Sequence, residues 1–119
     1  MLREGRRGDT VLLAFAGHGL QFDGQDDAYF CPADARPFKD ETRTLVSLIS
    51  MYAEMKRSFA GVKLLLVDAC RDDPKATRGT RGVDGDTAPR PPTGVGTHFS
   101  CSKRQRACEH PDLKHGVFF

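Results

Sequence analysis

Two short apolar runs, each closed by small or polar residues, dominate the pattern of hydrophobic positions along the chain. The first covers residues 11–16 and is followed by Gly-His-Gly at 17–19, and the second covers residues 63–67 and is followed by Asp-Ala-Cys at 68–70. Continuous apolar runs of this length are typical of strands that are buried on both faces of a parallel sheet. We therefore predict two such strands, which end before positions 17 and 68.

Between these runs, residues 42–59 carry apolar side chains at three- and four-residue steps. This spacing places the apolar side chains on one side of a helix. Asp40 or Thr42 is suited to cap the start of the helix, and Gly61 stands just past its end. A strand, a helix and a second strand in this order predict a βαβ unit with a right-handed crossover and parallel strands.

The other segments have weaker patterns. Residues 20–27 indicate a polar turn, and residues 28–32 a short extended segment that its proline confines to a sheet edge. Residues 72–97 are rich in Gly and Pro and poor in apolar side chains, so we predict a flexible loop there. Residues 98–102 are predicted as a third strand, and residues 102–114 as a polar segment with a helical turn.

The length and charge of the chain narrow the functions open to it. Its 119 residues correspond to one domain or to part of one, and 18 basic against 16 acidic residues give a net charge of +2. So small a surplus does not indicate binding to nucleic acid or to a membrane surface. No apolar run approaches the ~20 residues that cross a bilayer, and the charged start lacks the apolar stretch of a secretion signal. We expect a cytoplasmic protein without nucleic-acid or membrane partners.

The chain contains four cysteines, at positions 31, 70, 101 and 108. They form no Cys-x-x-Cys pair, and the histidines do not stand at zinc-finger spacing, so we expect no structural zinc site. In a reducing compartment such thiols are either small buried residues or reactive groups. We expect Cys31, Cys101 and Cys108 to be packing residues.

Reactive groups follow both predicted strands, with His18 after the first and Cys70 after the second. Ligands of open α/β sheets bind outside the carboxyl ends of the strands, and neighbouring strands lie about 4.8 Å apart. If the two strands are neighbours, the imidazole can share the proton of the thiol, as a Cys–His dyad requires. Gly17 allows a sharp exit from the strand, and Gly19 lets its N–H approach the oxygen of a substrate carbonyl.

Asp68 stands two positions before Cys70, so the two side chains point the same way if the strand continues to Cys70. A carboxylate beside a nucleophile favours a cationic substrate group such as Arg or Lys. Three structural interpretations remain open at this point. Cys70 could be a core thiol, His18 a turn residue and Asp68 a cap for the loop that follows.

Several segments together resemble the caspase-like cysteine peptidases, and more closely the metacaspase-type bacterial members. AFAGHG at 14–19 and VDACR at 67–71 carry the resemblance, and 52 positions separate His18 from Cys70, close to the ~50 found in caspases. YFCPAD at 29–34 resembles the family's segment after the histidine. FSCS at 99–102 and HGVF at 115–118 resemble the strand and turn beyond the nucleophile loop, so the resemblance covers nearly the whole chain.

The resemblance implies a role for each matching residue. His18 would be the general acid and base, and Cys70 the nucleophile, with the N–H groups of Gly19 and Cys70 forming the oxyanion hole. Asp68 would form the floor of the pocket for the residue before the cleaved bond, which implies cleavage after Arg or Lys. The substrate would be a peptide or protein, and no cofactor would be needed.

The resemblance also implies a fold, namely an α/β three-layer sandwich with a mostly parallel sheet. Residues 1–119 would form a single but partial catalytic domain, because the family's first strand and its closing elements have no counterpart here. Ala16 stands where many metacaspases have Ser. We expect poor stability unless another chain supplies the missing elements, and we expect further domains in a longer parent chain. We also expect self-cleavage within the loop, which contains arginines at positions 78, 81 and 90.

Two other functions remain open beside the peptidase. An inactive caspase-like fragment would act only as a protein-interaction module. A nucleic-acid-binding segment would use the basic residues 103–106, although a short basic turn is usually a solvated surface. Asp23, Asp26 and Asp27 form an acidic turn that could hold Ca²⁺, an ion that activates some metacaspases. They lack the spacing of a dedicated Ca²⁺ loop, so a solvated turn is the favoured interpretation.

Overall fold

The computed structural model describes residues 4–22, 24–36, 40–70, 80–81, 88–100, 109–110 and 115–116. The strands are β1 (Thr10–Phe22), β2 (Tyr29–Phe30), β3 (Val46–Ser47), β4 (Val62–Cys70), β5 (Thr80–Arg81), β6 (Gly96–Phe99), β7 (Glu109–His110) and β8 (His115–Gly116). The helix α1 spans Leu48–Arg57 and follows a 3₁₀ turn at Thr42–Thr44. Within the described residues, no helix is long and apolar enough to cross a membrane.

The described strands form one mixed sheet in the order β3-β2-β1-β4-β6, with β5 paired to the end of β1 and a separate β7–β8 pair. β1 and β4 are parallel over nine residue pairs, from Thr10↔Val62 to His18↔Cys70. β4 and β6 are also parallel, whereas β2, β3 and β5 pair antiparallel. The predicted α/β fold and the predicted parallel pairing of the two apolar strands are confirmed.

The core lies between α1 and one face of the sheet. Leu48, Tyr52 and Met55 of the helix are buried there against Leu65 and Val67 of β4. Phe15 of β1 and Phe30 of β2 stack in the same layer, with ring centroids 4.7 Å apart and an angle of 13° between the rings. Three residues of the predicted apolar helix face, Leu48, Tyr52 and Met55, therefore meet alternate strand residues in one cluster. Ile49 and Phe59, predicted for the same face, are 47% and 75% exposed, so that part of the prediction was wrong.

The second face of the sheet is open near the start of β1 and β4, which corrects the prediction that both strands are buried on both faces, whereas Asp68, farther along the same face, is buried. β1 alternates between half-buried and exposed positions, and Leu12 is 56% exposed. Its register partner Leu64 is 40% exposed. The reason is that α1 covers only one side, so alternate residues of each strand face away from the core.

The predicted helix over residues 42–59 is too long. The 3₁₀ turn and β3 occupy its first third, and α1 begins at Leu48 with Ser47 as its N-cap, in place of Asp40 or Thr42. The Ser47 hydroxyl oxygen accepts a hydrogen bond from the N–H of Ser50 at 3.0 Å. Its C-cap is Ser58 rather than a glycine at position 61. Pairing of β3 with β2 withdraws residues 46–47 from the helix.

The first strand is longer than predicted. It does not stop at the Gly-His-Gly motif but continues to Phe22, which removes residues 20–22 from the predicted turn. The extension is stabilised by pairing, because Gly19 and Leu20 pair with β2, and Gln21 and Phe22 pair with β5. β2 lies between β1 and β3, so the predicted edge position of this segment was also wrong.

The predicted loop over residues 72–97 contains two strand segments. β5 lies within it, and β6 begins at Gly96, two residues before the predicted third strand, and ends at Phe99. Of the rest of the loop, the structure describes only residues 88–95, so Arg78 lies outside the described residues. Of the predicted helical turn over residues 102–114, only β7 is described. Self-cleavage in this loop stays a prediction.

Candidate active site

His18 and Cys70 are register partners at the carboxyl end of the parallel β1–β4 pair. Their backbones therefore lie one strand spacing apart, about 4.8 Å. Register partners in a parallel pair occupy the same face of the sheet, and alternation along β1 places position 18 on the open face together with Leu12. The His18 side chain is exposed. The histidine and the cysteine that the sequence singled out are brought together where ligands of α/β sheets bind.

The residues on either side of His18 are both glycines, and they differ in their conformation. Gly17 has φ of 147°, a value that residues with a Cβ rarely adopt, although no atom would crowd a Cβ there. Gly19 continues the strand as the register partner of Phe30. His18 is therefore a strand residue held between two strands, and not the turn residue that remained open as an interpretation.

Asp68 lies inside β4, in register with Ala16, and is only 6% exposed. Its Oδ1 atom is buried and has no hydrogen-bond partner among the described residues. By strand alternation, position 68 shares the open face with position 70. A buried carboxylate oxygen without a partner is costly. The alternative role of Asp68, as a cap for the following loop, involves residues 71–79, which lie outside the described residues.

Within the predicted acidic turn, Asp27 makes hydrogen bonds that stabilise the fold. The Asp27 Oδ2 atom accepts a hydrogen bond from the Ser47 hydroxyl at 2.5 Å, and its Oδ1 atom accepts from the N–H of Ile49 at 3.1 Å. Asp26 is exposed, and Asp23 is outside the described residues. Where the structure describes the chain, no group of three or more His, Cys, Asp or Glu side chains is arranged to hold a metal ion.

The two tyrosines of the chain, Tyr29 and Tyr52, have raised pKa values. Burial raises the pKa of Tyr52, and the nearby Thr97 hydroxyl offsets part of this effect. The Tyr52 hydroxyl nevertheless makes no well-formed hydrogen bond within the described residues. Burial, followed by the charge of Asp27, raises the pKa of Tyr29. Both side chains therefore stay neutral at pH 7.

Cys31 lies beside His18, a proximity that its sequence pattern did not indicate. Cys31, predicted to be a packing residue, directs its N–H to the carbonyl oxygen of His18 at 2.9 Å. The thiol of Cys31 is half-buried. No sequence spacing signals this contact, because it arises from the antiparallel pairing of β2 with the extended end of β1.

Comparison with known proteins gives one family. No curated protein matches the chain significantly. The profile of the peptidase C14 caspase domain matches residues 2–119, which is nearly the whole chain. The chain therefore belongs to the caspase-domain family of cysteine peptidases.

Proposed function

We propose that this protein is a cysteine endopeptidase of the metacaspase type that cleaves after Arg or Lys. His18 is the general acid and base, and Cys70 is the nucleophile. The observation that carries the proposal is the register His18↔Cys70 at the carboxyl end of two parallel strands. The proposed substrates are peptides and proteins, and the chemistry requires neither a metal ion nor an organic cofactor.

The reaction follows from these positions. The His18 imidazole takes the proton of the Cys70 thiol, and the sulfur attacks the carbonyl carbon of the peptide bond. The N–H groups of Gly19 and Cys70 stabilise the negative charge that develops on the carbonyl oxygen. The imidazolium then donates its proton to the departing amine, which leaves a thioester on Cys70. Water, deprotonated by His18, hydrolyses the thioester and releases the acid product and the thiol.

The preference for a basic residue is supported by Asp68. Its buried Oδ1 atom has no partner among the described residues, and its position shares a face with the nucleophile. A guanidinium or ammonium group of the substrate would supply the missing partner. Charge-assisted hydrogen bonds are stronger than neutral ones, so this contact would select Arg or Lys over neutral or acidic residues.

The test is hydrolysis of two fluorogenic peptides that differ only in the residue before the reporter, Arg or Asp. We expect the purified protein to cleave the Arg peptide, and Cys70→Ala and His18→Ala to lower kcat/KM by at least about 10³-fold. His98→Ala is the matched control for His18→Ala, because His98 is an exposed histidine on the neighbouring strand β6, in register with Leu66.

A separate substitution tests the preference for a basic residue. Asp68→Asn should lower kcat/KM for the Arg peptide by about 100-fold while leaving cleavage of the Asp peptide unchanged. Cleavage after Asp by the unmodified protein would contradict the role of Asp68. No cleavage by a folded, soluble sample would instead favour a caspase-like protein that only binds partners.

A further inference from the structure

His18 has a cysteine position on each side. Cys70 is its partner in the parallel ladder with β4. On the other side, the pairs Gly19↔Phe30 and Leu20↔Tyr29 make Cys31 the next partner in the antiparallel ladder, and the hydrogen bond from the Cys31 N–H to the His18 carbonyl oxygen continues that ladder. The sheet thus places Cys31, His18 and Cys70 in one row across three strands.

The row lies on the open face of the sheet. Phe30 faces the core, where it stacks on Phe15, so its neighbour Cys31 takes the opposite face by alternation. That is also the face of His18, since register partners share a face. Cys31 is half-buried and His18 is exposed, so neither residue is sealed from the solvent.

A second observation marks this face as a place where ligands bind. The buried, unpartnered Oδ1 atom of Asp68 belongs to the same face, one alternate position before the row. A ligand drawn there by the carboxylate comes close to both thiol positions. Cys31 is therefore part of a cluster that includes a base, a second thiol position and an unsatisfied carboxylate.

We propose that Cys31 is a second reactive thiol, activated by His18 and modified by electrophiles and peroxides. The proposal rests on the base role of His18 in the proposed function. With iodoacetamide, the imidazole takes the thiol proton and the sulfur lone pair displaces iodide from carbon, which gives a thioether, iodide and an imidazolium. With a peroxide, the sulfur attacks one oxygen and the other oxygen leaves as water or an alcohol, which gives a sulfenic acid.

The two thiols act separately. Positions 31 and 70 are two strand spacings apart, about 10 Å between Cα atoms. A disulfide requires about 4.4–6.8 Å between Cα atoms, so the sheet does not allow one to form between these positions. Oxidation or alkylation of Cys31 is therefore expected as a modification of its own, beside the histidine.

The test follows the alkylation of Cys31 by iodoacetamide at pH 7.5, with tryptic peptides quantified by mass spectrometry. Cys70→Ala serves as the background, so that His18 has only Cys31 to activate, and alkylation of Cys101 and Cys108 is recorded in the same samples. We expect His18→Ala in this background to slow alkylation of Cys31 by at least about tenfold, and His98→Ala to leave it unchanged. Circular dichroism verifies that each variant is folded.

The outcomes separate this proposal from the peptidase. If Cys31 of the folded protein reacts no faster than in the urea-unfolded chain, or if His18→Ala does not slow it, the second-thiol proposal is wrong even where Cys70-dependent peptidase activity is present. If peptidase activity is absent but Cys31 reacts quickly and depends on His18, the thiol proposal stands and the proposed peptidase fails. Should His18→Ala unfold the protein, His18→Gln repeats the comparison with a side chain of similar size.

Discussion

Gly17 sets the direction in which the chain enters the candidate site. Its φ of 147° lies outside the range that residues with a side chain adopt readily, yet the space around it is open. A substitution there would therefore act through the backbone and not through a clash. Because His18 follows directly, a change of backbone at Gly17 moves the imidazole relative to Cys70.

This gives a prediction at the scale of one residue. Gly17→Ala should destabilise the fold by about 1–2 kcal/mol and lower peptidase kcat/KM by at least about tenfold, because Ala forces β1 to relax just before His18. Denaturant unfolding and the Arg peptide assay measure the two effects. Gly8→Ala is the matched control, since Gly8 has open space around it and no positive φ, and it should be neutral or slightly stabilising. Equal effects of the two substitutions would contradict a special role for Gly17.

Individual residues differ in how far the sequence predicts their surroundings. His18 and Cys70 could be selected because each stands shortly after an apolar run, although the strands themselves extend farther than those runs. The neighbourhood of Cys31 could not, because it depends on which strand pairs with the end of β1. The burial of Asp68 was hidden for a similar reason, since it follows from packing around β4 and not from the local pattern.

At the scale of elements, the start of α1 joins the helix to the segment after β1. The Ser47 hydroxyl accepts from the N–H of Ser50 and donates to Asp27, which also accepts from the N–H of Ile49. A carboxylate at this place satisfies N–H groups of the first turn and interacts favourably with the helix dipole. The same aspartate accepts from its neighbour Ala28, just before β2, at 2.8 Å.

We expect Asp27→Ala to lower the free energy of unfolding by about 2 kcal/mol, because it leaves the Ser47 hydroxyl and the N–H of Ile49 without their acceptor. Asp26→Ala is the control, since this neighbouring aspartate is exposed and its removal changes the net charge equally. Urea unfolding of both variants under the same buffer conditions measures the difference. If Asp26→Ala costs as much as Asp27→Ala, the effect comes from net charge and the cap is not responsible.

The boundaries of the elements were harder to predict than their existence. Helical spacing of Leu48, Tyr52 and Met55 correctly located the helix, because those residues meet the sheet. Residues 42–47 continue a similar apolar pattern but form a 3₁₀ turn and β3 instead. The competing interaction is a strand pairing with β2, which no local propensity reveals.

For the molecule as a whole, α1 covers one face of the sheet, and the other face is exposed near the start of β1 and β4. Leu12 and Leu64 lie side by side on this face and are substantially exposed. Contiguous exposed apolar surface of this kind promotes association of protein molecules. We therefore expect the isolated chain to self-associate as its concentration rises.

Leu12→Lys should weaken that association, because a charge in the middle of the open face makes its burial against another molecule costly. Sedimentation velocity over a range of concentrations measures the change. Phe59→Lys is the control, since Phe59 is 75% exposed, lies outside the sheet and receives the same charge. An equal gain from Phe59→Lys would attribute the effect to net charge, and no gain from Leu12→Lys would contradict association through this face.

The overall architecture was easier to predict than the boundaries of the elements or the surroundings of single residues. Two apolar runs with a helix between them could only be accommodated as a βαβ unit, and the parallel ladder of β1 and β4 confirms it. The open face could not be predicted, since an all-apolar run is compatible with burial on one side or on both. The prediction of burial on both faces assumed a covering layer that the described residues do not contain.

The β1–β4 ladder has a consequence for the order of events during folding. It joins residues 52 positions apart, so it forms only after the entropy of closing a long loop has been overcome, which slows folding. The pair His18↔Cys70 is the last of the ladder, and the ends of a ladder open more readily than its middle. During synthesis, a chain whose His18 has emerged from the ribosome, but whose Cys70 has not, contains no dyad. The proposed active site therefore assembles late, so a growing chain does not cleave other proteins before it has folded.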